Sequence, residues 1–195
     1  MLRSPIQQVS NKLQYRAIGI INGVFKPQSE EQFNKGIIED SFGTQLDAVV
    51  LGKTIPLMKK HVDLSKDHYW VVYPRNKNTE KLHLQIAGIW DPKNLNNESS
   101  KDSKTNEELL NSLNLKDNFF SIRGKLIYVN TKEKEVILKI CPLNELKKQK
   151  QNSFKISLKG EISLDCLNSF VSADTIRVGN SLELTNFEIV KSQSP

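Results

Sequence analysis

Apolar and polar residues alternate along most of this 195-residue chain, in short runs separated by turn residues. In the first half the runs fall at 15–25 (YRAIGIINGVF), 35–40, 45–51, 69–73 and 81–90 (KLHLQIAGIW). In the second they fall at 119–129 (FFSIRGKLIYV), 134–141, 154–163, 170–178 and 181–190. A period of two over such lengths predicts strands. Ser41-Phe42-Gly43-Thr44, Asn130-Thr131-Lys132-Glu133 and Gly179-Asn180 read as hairpin turns, and Pro74 reads as the stop of the fourth strand. One segment departs from this period. Ile55, Met58 and Val62 share a face at helical spacing, with Thr54 placed as N-cap and Pro56 in the first turn, so 54–62 predicts a short helix. The corresponding connection in the second half, LDCLNS, is too short for a full helix.

The two halves echo each other. Each opens on an apolar, β-prone run interrupted by glycine: Gly19 and Gly23 in one, Gly124 in the other. Glycine inside a strand marks a bend or bulge, as where a strand curls between two sheets. Two small, strongly curved β domains follow. Residues 1–14 read as a flexible N-terminus, 15–92 as the first barrel, 93–118 as a polar linker and 119–191 as a second small β-barrel. Within the linker NEELLNSLNL is expected to form a helical turn or two.

The order strand, strand, strand, helix, strand, strand over 15–92 resembles the OB-fold, a five-stranded Greek-key barrel. The expected fold class is mainly β: two small OB-like β-barrels in tandem, with one short helix in the first. The stretches YRAIGIINGVFKPQSEEQFNKG, WVVYPRN, FSIRGKLIYV and FKISLKGEI are similar to those of a conserved cyanobacterial protein family. That likeness implies a phylum and an architecture, and brings no activity with it.

Charge adds a direction. The net charge is +6, divided as +3 over residues 1–92, −1 over 93–117 and +4 over 118–195. A basic excess in both β halves suits a phosphate backbone. Lysine outnumbers arginine 23 to 5 and there are 18 asparagines, the bias of an AT-rich genome, so the lysine count alone carries little weight. Cys141 and Cys166 lie 25 positions apart outside any CxxC pair and read as reduced thiols. No run is long enough to span a bilayer and MLRSPIQQVSNKLQ lacks a secretory core, so no membrane partner and a cytoplasmic location are expected.

Catalytic chemistry finds no footing. His61, His68 and His83 lack metal-ligand spacing, so no metal is expected. No GxSxG elbow, GxxxxGK[ST] loop or GxGxxG loop occurs, and both cysteines sit in the half without histidine. A non-enzymatic protein without a cofactor is the expectation.

Single-stranded nucleic acid, RNA favoured over DNA, is the best positive reading. OB-folds bind on strands two and three, flanked by the loops after strands one and four. Basic grooves with aromatics that stack on bases hold single strands. In the first half this selects Tyr69, Tyr73, Arg75, Lys77 and Lys81, with Trp70 turned to the core. In the second it selects Lys147, Lys148 and Lys150 in a polar loop, Lys155 and Lys159 on one face of the third strand, and Arg123 and Lys125 on the first. The rival reading is a protein–protein scaffold docking through two β modules. Glu30 and Glu31 in the first binding loop favour it, since they repel phosphate.

Overall fold

A computed structural model describes residues 2–77, 81–95, 104–141, 143–144, 149–150 and 152–191. Residues 1–7, 19–73 and 84–119 gather into one compact unit, and 8–18, 74–83 and 120–195 into another.

The first barrel is built from β1 (Arg16–Pro27), β2 (Lys35–Glu39), β3 (Gln45–Val50), helix α1 (Ile55–His61), β4 (His68–Lys77) and β5 (Lys81–Trp90). The strand order β1-β2-β3-β5-β4 closes when β4 pairs back onto β1, Gly19 opposite Val72 through Gly23 opposite His68. That is the OB-fold connectivity, with α1 between the third and fourth strands. The expected hairpin forms at Asp40, whose Oδ1 accepts the N–H groups of Phe42 and Thr44 at 2.9 and 2.8 Å. Gly43 takes φ +78° there, which glycine adopts without strain.

Alternation puts Ile38, Leu46, Trp70, Val72, Leu82, Leu84 and Ile86 inside, fully or almost fully buried. Trp70 donates its Nε1–H to the Gly23 carbonyl at 2.8 Å. Met58 of α1 is buried, while Thr54 does not cap the helix. Its hydroxyl donates to the Ala87 carbonyl at 2.9 Å instead, tying the helix start to β5. Nor does Pro74 end the fourth strand, because β4 runs on to Lys77. Its register with β1 stops at Val72, and proline is tolerated where one flank has no ladder to donate to.

The linker is more structured than its polarity suggests. Pro92–Leu95 form a short helix, α2, and Asn106–Ser112 form α3. Thr105 and Glu108 close a capping box on α3, satisfying two N–H groups at its start. Leu110 of α3 is fully buried against Ile20 and Trp90, with Tyr69, Val71, Leu109 and Leu113 packed around them. This satellite core covers the outer side of β1, β4 and β5. The N-terminal lead is built in as well, not loose: Ile6 is buried and the Arg3 carbonyl accepts the Trp90 indole N–H at 2.8 Å.

The second barrel uses β6 (Phe119–Asn130), β7 (Glu135–Ile140), β10 (Phe154–Lys159), β11 (Phe170–Val178) and β12 (Ser181–Val190). A small hairpin, β8 (Leu143–Asn144) with β9 (Gln149–Lys150), is inserted between β7 and β10. The order β6-β7-β10-β12-β11 closes on β6, the same circuit as the first barrel. A single 3₁₀ turn at Leu164–Cys166, capped by Ser163, stands where the first barrel has its helix. β10 ends at Lys159, short of the 163 expected, because Gly160 turns the chain at φ +147°. The first strands of the two barrels carry equivalent glycines. A Cβ at Gly23 would lie 2.6 Å from the Glu39 carbonyl oxygen, and one at Gly124 would lie 2.6 Å from that of Lys139. In each barrel the curling first strand approaches the end of the second too closely for a side chain.

Candidate nucleic-acid interface

The outer wall of β6, β7 and β10 concentrates positive charge. Register sets Lys125 opposite Lys139, and Lys139 opposite Lys155. Side chains of directly paired residues stand about 5 Å apart at Cβ. Three lysines thus run in one row across three strands, Lys125 and Lys155 exposed and Lys139 half-buried. Beside it lies the row Tyr128, Ile137, Ser157, with Tyr128 43% exposed. The next row is Asn130, Glu135, Lys159. Its one carboxylate is engaged: Ser157 Oγ donates to Glu135 at 2.6 Å, and Lys159 Nζ lies 3.8 Å away.

A β-bulge produces this row. Tyr128 pairs with Ile137 but Leu126 pairs with Leu138, leaving Ile127 as an extra residue in β6. Because successive side chains alternate faces, a one-residue insertion reverses everything beyond it. Leu126 stays buried with Phe120 and Ile122 and Lys125 outward beside Lys139, and the bulge turns Tyr128 outward onto the same wall. Without it, alternation from Phe120, Ile122 and Leu126 would turn Tyr128 into the core.

Loops frame the wall. In the 131–134 turn, the Asn130 side chain accepts the N–H groups of Lys132 and Glu133. Lys134 pairs with Glu161 at 2.8 Å, which holds its ammonium pKa above the usual lysine value. Between this turn and the Gly179–Asn180 hairpin opens a cleft of about 230 Å³, lined by Asn76, Ser157, Lys159 and Asn180 among others. Asn76 accepts the Ser157 N–H at 3.1 Å.

The twelve residues selected from sequence do not all meet here. Lys125, Lys155 and Lys159 share the wall. Arg123 does not: it is 6% exposed, and its guanidinium is spent on Ser172 Oγ at 2.5 Å, the Gln14 carbonyl at 3.3 Å and the Lys12 carbonyl. Burial pushes its pKa down from the ordinary arginine value. Arg75 stacks on Phe154, its guanidinium carbon 3.8 Å from the ring centroid, and donates to the Pro74 carbonyl. Tyr69 is packed under α3 with its ring edge-on to Trp90, which removes it as a stacking platform. Tyr73 is half-buried and Lys81 exposed. Lys77 and Lys150 are described through their backbones alone, in β4 and β9, and Lys147 and Lys148 lie outside the described residues.

Lys139 and Tyr128 were missed. In Glu135–Ile140 Lys139 alternates outward with Ile137, so periodicity was a usable signal for it. For Tyr128 none existed, since Leu126-Ile127-Tyr128-Val129 reads as one apolar run.

The equivalent wall of the first barrel is different. Outward positions on β2 and β3 are Lys35, Ile37, Glu39, Gln45, Asp47 and Val49. Glu39 takes Lys26 Nζ at 2.6 Å and Gln45 Nε2 at 3.0 Å, and these two hydrogen bonds hold its carboxyl below the usual range.

Two closed five-stranded barrels with this connectivity and a basic wall define a tandem OB-fold protein of the nucleic-acid-binding class. Residues 17–97 match the family model of the PatR RNA-binding protein, N-terminal OB-fold domain. Residues 122–191 match that of the cyanobacterial OB-fold-like RNA-binding domain, C-terminal. Together the matches span more than three quarters of the chain, and it belongs to the PatR family of cyanobacterial RNA-binding proteins. No curated protein matches it in sequence. RNA is therefore the ligand class, where the charge and topology of the sequence imply single-stranded nucleic acid without separating RNA from DNA, and neither match speaks for a scaffold. Among the described residues no helix is long and apolar enough to cross a membrane.

Proposed function

We propose that single-stranded RNA crosses the outer wall of β6, β7 and β10. Lys125, Lys139 and Lys155 contact successive phosphates, and Tyr128 stacks on a base. The lysine row across three paired strands carries this reading. Like charges set directly opposite destabilise a sheet, and a bound polyanion reverses that cost. Lys159 and the adjoining cleft give room for one unstacked base. Since phosphate contacts carry no sequence information, charge and shape outweigh sequence in the recognition. The protein acts as a binder without catalysis, in the cytoplasm.

Fluorescence anisotropy with a mixed-sequence RNA oligonucleotide tests this. Saturable binding at low salt that weakens steeply as salt rises, and is tighter for RNA than for DNA of the same sequence, is expected. Absence of saturable binding at low salt overturns it.

A further inference from the structure

The cleft of about 230 Å³ beside the lysine wall has a definite pattern of donors and acceptors. Among its described lining residues Leu82 and Leu182 are the apolar ones, both almost fully buried. Asn76 is held in one orientation. The Ser157 N–H donates to its Oδ1 at 3.1 Å, which leaves the Nδ2 end of the amide as a donor on the cleft's lining. Lys159 adds a second donor. Its ammonium is half exposed and stands 3.8 Å from Glu135, beyond hydrogen-bond length.

The acceptors are carboxylates. Glu135 spends one oxygen on Ser157 Oγ at 2.6 Å. Glu133 is exposed on the 131–134 turn, where its own N–H donates to Asn130 Oδ1 at 3.2 Å and fixes the backbone that carries it. An ionised carboxylate only accepts hydrogen bonds. Beside a path for phosphates it repels the backbone, so its favourable use there is to take N–H donors from a base. The bases differ in what they offer. Uracil presents one N–H between two carbonyls, adenine one amine beside a ring nitrogen, and cytosine one amine beside two acceptors. Guanine sets two donors side by side, N1–H and N2–H₂, which match the two oxygens of a carboxylate. Its O6 and N7 lie next to them as acceptors for Asn76 Nδ2 and Lys159.

We propose that, given the RNA path across the wall set out above, this cleft selects guanine, with Glu133 taking N1–H and N2–H₂ and Asn76 and Lys159 donating to the opposite edge. The lysine row then holds the strand by charge, and the cleft reads one base of it. The test is anisotropy at low salt with the full chain and uridine oligomers of one length. They carry guanosine, inosine, adenosine or cytidine at one central position, or uridine throughout. The guanosine oligomer should bind at least about fivefold tighter than those with adenosine, cytidine or uridine. Inosine keeps N1–H and lacks the N2 amine, and should fall between. Glu133→Gln should cut the guanosine advantage at least about threefold. The same variant should bind the all-uridine oligomer at least as tightly, because it removes a negative charge near the phosphates. Saturable but equal binding of all oligomers overturns guanine selection and leaves the lysine wall standing. No saturable binding of any of them overturns both. A preference for another base, inosine binding as tightly as guanosine, or a guanosine advantage intact in Glu133→Gln each overturns the proposal. So does an equal loss for both oligomers in the variant, since Glu133 would then act on the fold.

Discussion

Replacing Lys125, Lys139 and Lys155 together with glutamine removes three charges from one wall and leaves the strands their length and hydrogen bonds. The size of the effect follows from counter-ion release. Each phosphate neutralised on a single strand contributes about 0.7 to the slope of log affinity against log salt, so the row contributes about 2. Between 50 and 200 mM salt that alone lowers wild-type affinity roughly 18-fold. The triple variant should bind more weakly at 50 mM and lose about 2 units of slope. Stability should move the other way. Lys139 faces a lysine on each side, and relieving two like-charge pairs should gain about 0.5–1 kcal/mol. The assay is anisotropy with one RNA oligonucleotide at four salt concentrations, with urea melts of both proteins. An unchanged slope refutes the lysine row as the phosphate contact. Weaker binding accompanied by a lower urea midpoint refutes it too, because the loss then belongs to unfolding.

Three further perturbations separate scaffold from surface. Arg123→Ala leaves the Lys12 and Gln14 carbonyls and Ser172 without their donor and should cost about 2–4 kcal/mol in urea denaturation, with the RNA salt slope unchanged. Leu110→Ala opens a cavity beneath α3 and should cost about 2–5 kcal/mol, read as a fall in melting midpoint. The Tyr69 hydroxyl is raised from 10.0 to about 12 by burial and nearby carboxylates, so the folded state keeps its proton longer than the unfolded chain. Its contribution is fully present below pH 10 and is lost as pH rises toward about 12; urea midpoints across that window should fall, less steeply in Tyr69→Phe.

The barrels were legible because their cores are written in a period of two, punctuated by turn residues that act locally. Trp70 inward, the hairpin at Gly43 and the short connection near Cys166 all follow from residues within a few positions of each other. What escaped depended on distant chain. Tyr69 shares an outward face with Val71, and nothing near it reveals that α3, some forty residues on, covers both. The helix had its own signs, a Thr-x-x-Glu capping box and Leu109, Leu110 and Leu113 at helical spacing. Seven residues make a marginal helix in water, however, and its stability comes from the wall it packs on. Arg123 looked like a phosphate ligand because a sequence does not show which carbonyls surround a guanidinium. Lys125 does stand on the outer wall, but the bulge at Ile127 that turns Tyr128 to the same wall lies within an unbroken apolar run.

The two barrels show how far topology leaves ligand choice open. Both close in the same order, and both place a glycine where the first strand meets the end of the second. Inward positions are fixed by the core, because a polar residue there faces no water. Outward positions on the same strands are free to diverge. On β2 and β3 they became Lys35, Ile37, Glu39, Gln45, Asp47 and Val49; on β7 and β10 they became Glu135, Ile137, Lys139, Lys155, Ser157 and Lys159. The first set mixes one lysine with two carboxylates, one of them paired with Lys26, whereas the second sets three lysines against one carboxylate. One fold thus presents two walls of different charge pattern. On the reading proposed above, RNA affinity belongs to the charge on the wall of β6, β7 and β10, and the fold supplies only the place to put it.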